Sequence, residues 1–134
     1  MPRWGMPVLQ INMQTDDGRT IGLRDILASL QPRADRSLWD IGGGEEDFWA
    51  MGSDIRRLGA LAASGEKVAG TDLSTLADGI HQLIWGQFRA FEDTSPEPWA
   101  IISAFDGWFF ELTTDDHALI ALIRRRFPWA RPAT

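Results

Sequence analysis

The side chains best suited to acid–base chemistry are two histidines, His81 and His117, and two carboxylates, Asp106 and Glu111. Histidine exchanges protons near neutral pH, and a carboxylate within hydrogen-bond reach can orient its ring. Asp106 belongs to an Asp-Gly turn, however, and Glu111 alternates with apolar neighbours on a predicted strand and should face solvent. We therefore expect that His117 does not meet either carboxylate in a cleft. The sequence predicts a protein that is not an enzyme.

Other common catalytic or metal-binding patterns are missing from the sequence. The chain has no cysteine, which excludes a zinc–thiolate site, a thiol nucleophile and a disulfide scaffold. His81 and His117 belong to different predicted elements, and two such residues are too few for a metal site that needs three or more ligands. The G-x-S-x-G motif of serine hydrolases does not occur. We expect neither a metal nor a cofactor.

A glycine-rich acidic segment stands out in the first half of the chain. Three glycines at 42–44 are followed by three carboxylates, which would repel the phosphate that glycine-rich loops often bind. Carboxylates can instead steer a cationic protein, and a desolvated aromatic ring can add affinity. The same segment also fits a solvated loop followed by a core-inserting Phe-Trp-Ala. The first interpretation predicts a partner-binding face formed by Glu45, Glu46, Asp47, Phe48 and Trp49.

Charge and aromatic content narrow the class of partner. The net charge of −6 argues against a general nucleic-acid binder, which needs a basic surface, and favours a cationic partner if there is one. The chain has seven tryptophans and no tyrosine. Most large aromatics lie in cores, but Trp4, Trp49 and Trp129 fall in predicted loops or tails, where an indole often marks a contact surface.

Length and hydropathy predict one soluble domain. A chain of 134 residues is long enough to bury a core and too short for two comfortable domains. The first residues lack the pattern of a signal peptide, and no apolar run approaches the roughly 18 residues of a membrane-spanning helix. We expect a cytoplasmic protein that binds no membrane.

The segment from 98 to 126 carries the clearest structural signals. Two runs rich in aromatic and β-branched residues, Trp99–Phe105 and Trp108–Leu112, flank Asp106-Gly107, which predicts a hairpin with a two-residue turn. Thr113 or Thr114 should cap a final helix that ends in three arginines, 124–126. Both faces of the first run are apolar, which indicates a central strand covered on both sides.

The remaining pattern predicts a mostly antiparallel sheet of about five strands with three to four helices. The order is β-α-β-α-α-β-β-β-α, an α+β fold over residues 1–134 with a proline-interrupted tail at 128–134. We predict that the two middle helices pack as neighbours and that the second of them runs from Thr71 or Asp72 to about Ile84. The predicted strands are 8–13, 37–41, 87–92 and the two hairpin runs, and the predicted helices are 21–30, about 53–65, 71–84 and the one that follows the hairpin.

The second half of the chain resembles a known group of proteins. Gly86-Gln87-Phe88, the run from Pro98 to Asp116 and the Arg-Arg-Arg-Phe ending of the last helix are similar to small bacterial proteins of unassigned activity. Some of those proteins are encoded beside toxins as immunity proteins. The likeness spans about residues 80–127. It implies a small cytosolic protein that binds another protein and needs no cofactor.

Three functions follow from these observations. The first is a non-enzymatic protein-binding domain, with immunity-type inhibition of a toxin as its specific form. The second is a small-molecule-binding protein or weak enzyme with a tryptophan-lined pocket beneath the hairpin. The third is a homo-oligomeric subunit joined through a sheet edge. A toxin gene upstream would favour the first.

Overall fold

One antiparallel sheet of eight strands dominates the computed structural model, which describes residues 7–42, 48–53, 55–92 and 94–133. Four helices accompany it in these residues. The predicted α+β class is confirmed, but the predicted count of about five strands is too low. The strands are β1 (Val8–Asn12), β2 (Leu38–Gly42), β3 (Trp49–Gly52), β4 (Val68–Ala69), β5 (Ile80–Phe91), β6 (Ala100–Phe105), β7 (Phe109–Thr114) and β8 (Arg131–Pro132). The helices are α1 (Leu23–Ser29), α2 (Ile55–Ser64), α3 (Gly70–Asp78) and α4 (His117–Arg126).

The long strand β5 organises the sheet. The strand order is β4-β2-β5-β6-β7-β1-β8, and β3 pairs with the first half of β5 beside β2. β6 lies between β5 and β7 and is central, as predicted. The predicted order of elements lacked β3, β4 and β8. Each of these three is short and lies in a stretch to which the sequence pattern assigned no strand.

The helices pack on one face of the sheet. A continuous row of buried side chains crosses five strands on that face. Each of these side chains contributes about 1.5–3 kcal/mol on burial, so the row is a major part of the core. Every helix of the described chain adds at least one buried apolar residue to the same cluster. The row consists of Leu9, Leu112, Ile102, Phe88 and Ile41, and the helix residues include Ile26, Leu58, Leu73 and Ile123.

The predicted hairpin forms, with a difference at its turn. Asp106 and Gly107 both have positive φ angles, 55° and 64°, and the Trp108 N–H donates to the Phe105 carbonyl at 2.9 Å. These are the features of a tight two-residue turn. The pairing resumes at Phe109, which lies opposite Phe105, so three residues separate the paired positions. Trp108 is thus an extra residue outside β7, and its carbonyl accepts a hydrogen bond from the Met13 N–H at 2.8 Å.

The predicted helix over residues 71–84 is wrong in its second half. α3 ends at Asp78, where the Gly79 N–H donates back to the Leu76 carbonyl at 3.0 Å, and β5 begins at Ile80. The short strand β4 separates α2 and α3 in sequence, and α3 packs against α1. His81 consequently lies on a strand with an exposed side chain.

Two expectations for the C-terminal region also need correction. The predicted cap of α4 at Thr113 or Thr114 is wrong. Asp116 caps the helix, because its carboxylate accepts a hydrogen bond from the Leu119 N–H at 3.1 Å. The Thr114 hydroxyl instead donates to the Trp99 carbonyl at 2.8 Å. The predicted tail at 128–134 contains a strand, since β8 pairs with Leu9 and Gln10 of β1. The three arginines do occupy the last turn of α4, as predicted.

Candidate functional site

The second face of the sheet carries three different rows of side chains. The first row contains the Asp40–Arg89 ion pair, in which two guanidinium nitrogens donate to the two carboxylate oxygens at 2.9 and 2.7 Å. The second row is polar and runs across five strands through Gln87, Ser103, Glu111, Gln10 and Arg131. The third row is aromatic and lies at the hairpin end of the sheet. This third row is the candidate binding surface.

We call this surface the apolar patch. Its rings touch one another in sequence: Trp85 meets Phe105 at 6.1 Å, and Phe105 stacks on Phe109 at 5.1 Å between centroids. Trp108 then meets Phe109 edge-on at 5.4 Å. Trp49 of β3 pairs with Trp85, which places both on the same face of the sheet. The patch consists of Trp49, Met51, Trp85, Phe105, Trp108 and Phe109.

The exposure of these side chains makes the patch unusual. The exposed fractions are 59% for Trp49, 53% for Met51, 37% for Trp85 and 62% for Trp108. Only six large hydrophobic side chains are exposed in the described residues, and four of them belong to the patch. Scattered exposed apolar residues are ordinary in soluble proteins, whereas a contiguous group at one place marks an interaction surface.

Backbone contacts hold the patch in place. The Gly107 N–H at the tip of the hairpin donates to the Ile84 carbonyl of β5 at 2.9 Å. A register shift between β3 and β5 sets Trp49 opposite Trp85 and Ala50 opposite Leu83, so the intervening Ile84 is an extra residue in β5. Such a bulge bends a strand and redirects its side chains. Here it leaves Trp85 exposed while Leu83 is buried in the core.

The sequence-predicted partner-binding face overlaps the patch in one residue. Glu45, Glu46 and Asp47 lie outside the described residues. Phe48 is half-buried, stacks on Phe88 at 6.4 Å and packs against the core. Trp49 is the accessible member of the pair and joins the patch. Of the other indoles predicted to be exposed, Trp4 is outside the described residues, and Trp129 packs on the core with its N–H donating to the Asn12 carbonyl at 2.8 Å.

The acid–base candidates are distributed along β7. Asp106 occupies the turn before the strand, and His117 is the first residue of the helix that follows it. A six-residue strand spans about 20 Å, so these two side chains lie near opposite ends of β7. Glu111 lies between them, half-buried in the polar row opposite Gln10 and Ser103.

A charged cluster at the other end of the sheet joins three elements. Arg33 donates to both carboxylate oxygens of Glu92 at 2.7 and 2.8 Å and to Asp116 at 3.1 Å. Its guanidinium also lies 4.0 Å from the centroid of the Trp99 ring. The hydrogen bond with Arg33 lowers the pKa of the Glu92 carboxyl, and the same contact raises the pKa of Arg33. A polar cavity of about 150 Å³ adjoins the cluster. Asp115 lies 3.9 Å from the same guanidinium, so Arg33 is already paired with three carboxylates and we interpret the cluster as a structural clamp.

Two other kinds of site, a metal centre and a membrane-spanning helix, are absent from the described residues. Within the described ranges, no group of three or more histidine or acidic side chains is arranged to hold a metal ion. No helix in that part of the chain is long and apolar enough to cross a membrane. No protein-family model, curated protein or solved structure matches the chain.

Proposed function

We propose that this chain is a protein-binding domain that takes a basic protein partner onto the apolar patch. The observation that carries the proposal is the concentration of exposed Trp49, Met51, Trp85 and Trp108 at one end of the sheet. Exposed tryptophans are frequent anchors of protein interfaces, and truncating such an anchor costs about 2 kcal/mol or more of binding free energy. The rings are held by their neighbours before binding, which limits the entropy lost on association.

Charge supports a basic partner over a second copy of the chain. The three described segments that contain the patch residues, 48–53, 79–88 and 99–112, have no lysine or arginine. Their carboxylates are Asp106 and Glu111, and Glu45, Glu46, Asp47 and Asp54 flank the first segment in sequence. A second copy would carry the same excess of negative charge and would be repelled, whereas a basic partner would be attracted.

Immunity-type inhibition of a toxin is the specific form of this function that the resemblance of residues 80–127 suggests. An inhibitor of that type covers a surface of its target and needs no chemistry of its own. The acidic residues 45–47 directly precede the patch in sequence. They would accelerate the encounter with a basic target, and the aromatic rings would slow dissociation.

The experiment compares four forms of the protein as bait: the natural chain, Trp49→Ser, Trp108→Ser and Leu122→Ser. Leu122 is 38% exposed on α4, on the helical side of the sheet, and serves as the matched control. A protein retained by the natural and Leu122→Ser baits is identified, purified and titrated calorimetrically against each form. We expect each tryptophan substitution to weaken binding about 30-fold and Leu122→Ser to leave it within about twofold.

Two results would contradict the proposal. One is a purified partner whose affinity is indifferent to both tryptophan substitutions. The other is a dimer in analytical ultracentrifugation that Trp108→Ser converts to monomer, because the patch would then serve self-association.

A further inference from the structure

A cavity lies between α1, the end of α4 and the β1–α1 loop. Its volume is about 280 Å³, near the lower end of the range for small-molecule sites. Three arginines from three different elements line it, together with three apolar side chains. We call it the arginine pocket. Its defining residues are Arg19, Arg24, Arg126, Ile21, Phe127 and Trp129.

The three arginines differ in their ion-pair partners. Arg19 pairs with Asp17 at 3.0 Å, and this exposed pair neutralises part of the charge. Arg24 and Arg126, by contrast, form no ion pair with a carboxylate in the described residues. Arginine remains charged at all relevant pH values and presents a planar fork that matches a carboxylate or phosphate. A concave site with two unpaired guanidiniums is notable in a chain whose net charge is −6.

Two nearby negative features do not cancel this charge. The Asp25 carboxylate lines the pocket but accepts a hydrogen bond from the Gly22 N–H at 2.7 Å, which caps the start of α1. The C-terminus of α4 carries a partial charge of about −0.5, and three arginines occupy its last turn. Three guanidinium charges thus stand against the Asp17 and Asp25 carboxylates and this partial charge, which leaves the pocket a small positive excess.

The apolar floor of the pocket is fixed by hydrogen bonds. Trp129 is anchored through its indole N–H to the Asn12 carbonyl at 2.8 Å, and its ring lies edge-on to Phe127 at 5.6 Å. The Ile21 N–H donates to the Met13 carbonyl at 2.7 Å, which ties the β1–α1 loop to the end of β1. Because these groups are already in place, a ligand would not lose free energy by ordering them.

We infer that the arginine pocket binds a small organic anion whose carboxylate or phosphate group contacts Arg24 and Arg126 and whose planar apolar part rests on Trp129. The pocket offers a matching contact for both the anionic group and the planar apolar part of such a ligand. The guanidiniums supply charge-assisted hydrogen bonds, and the indole face supplies apolar contact. This site is separate from the apolar patch, so it does not depend on the proposed function.

The test is an NMR titration of the ¹⁵N-labelled protein with phenyl phosphate, using the indole N–H signals. Trp129→Phe identifies the Trp129 signal. We expect phenyl phosphate to shift that signal saturably, and inorganic phosphate or phenol alone to bind at least about tenfold more weakly, because each supplies half of the contacts. Benzoate serves as the carboxylate counterpart.

Variants in which one arginine is replaced by neutral glutamine show whether the pocket itself binds phenyl phosphate. Arg24→Gln and Arg126→Gln should each weaken phenyl phosphate binding about tenfold. Arg125 lies in the same helical turn as Arg126 but outside the pocket lining. Arg125→Gln removes the same charge and should leave the affinity for phenyl phosphate within about twofold. Arg24→Lys keeps the charge without the planar fork and should fall between these limits.

The inference is wrong if neither phenyl phosphate nor benzoate gives a saturable shift of the Trp129 signal at millimolar concentration. Equal weakening by Arg125→Gln and Arg126→Gln would also overturn it, since binding would then follow net charge alone. The dispersion of the amide spectrum shows that each variant is folded before it is titrated.

Discussion

Replacing Gly70 by alanine should destabilise the fold strongly, although alanine is the better helix former. Gly70 is the first residue of α3, and a Cβ atom there would lie 2.0 Å from the Ala34 carbonyl oxygen and 2.8 Å from the Asp35 Cα. Both are backbone atoms, which cannot rotate away as a side chain can. The two segments would have to separate by about 1 Å to restore ordinary contact distances.

That separation is resisted by hydrogen bonds on both sides of the contact. The Ala34 carbonyl accepts from the buried Trp39 indole at 2.9 Å and from the Ser37 N–H at 3.3 Å. The Gly70 N–H donates to the Ser37 carbonyl at 2.8 Å. Overpacking of this kind costs about 1–3 kcal/mol, and weakening one buried hydrogen bond costs about 1 kcal/mol more. We expect Gly70→Ala to lower the free energy of unfolding by about 2–4 kcal/mol.

Gly59→Ala is the matched control. Gly59 lies in the interior of α2, and nothing is found within 4 Å of the position its Cβ would take. The same substitution should therefore stabilise the protein by about 0.5–1 kcal/mol through helix propensity. Urea unfolding followed by tryptophan fluorescence measures both changes, and equal m-values would show that the unfolded states are comparable. A Gly70→Ala protein as stable as the natural chain would refute the packing argument.

Three further predictions concern the turn, the charged clamp and the acidic segment. Gly107→Val should lower the free energy of unfolding by about 1–3 kcal/mol, because a β-branched residue would be held at a φ of 64°. Its Cβ would also lie 3.1 Å from the Gln82 and Ile84 side chains. An unchanged thermal melt would contradict this prediction. Arg33 lowers the pKa of Glu92, so this carboxylate stabilises the fold above its unfolded pKa of about 4 and loses that effect as the pH falls through the folded value. The natural protein should exceed Glu92→Gln in stability at pH 7, and the gap should narrow in unfolding curves taken at successively lower pH; a gap that does not depend on pH would argue against the linkage. Serine at positions 45–47 should slow association with the basic partner in stopped-flow measurements, with the difference fading at high salt; rates insensitive to both changes would remove this segment from the interface.

Local sequence signals predicted the hairpin, its Asp-Gly turn and the last helix, but they misjudged β5. Leu73, Leu76, Ile80 and Leu83 recur at helical spacing, yet only the first two lie on a helix. The bulge explains the false periodicity, because it interrupts the two-residue alternation and buries Leu83 on the same side as Phe88. Helical spacing over a few residues cannot be separated from a bulged strand without the pairing partner.

The candidate site was predicted only at Trp49. Trp85 and Trp108 are 23 positions apart in the sequence and are linked through the Phe105 and Phe109 rings by the pairing of β5, β6 and β7. The register that unites them depends on the extra residue at Trp108 and on the bulge in β5. Both features are properties of strand pairing, so the residues alone could not place these rings on one surface. The clamp around Arg33 was missed for the same reason, because Arg33, Glu92 and Asp116 come from three distant segments.

The last strand has a consequence for handling this protein. β8 is two residues long, covers Leu9 and Gln10 of β1, and includes Pro132, which has no N–H to offer to another strand. The Ala133 N–H extends the cover by donating to the Val8 carbonyl at 3.0 Å. Removal of residues 131–134 would bare the outer edge of the five-residue β1, whose free amides and carbonyls can template fibril-like stacking between molecules. Trimming the C-terminus should therefore promote precipitation.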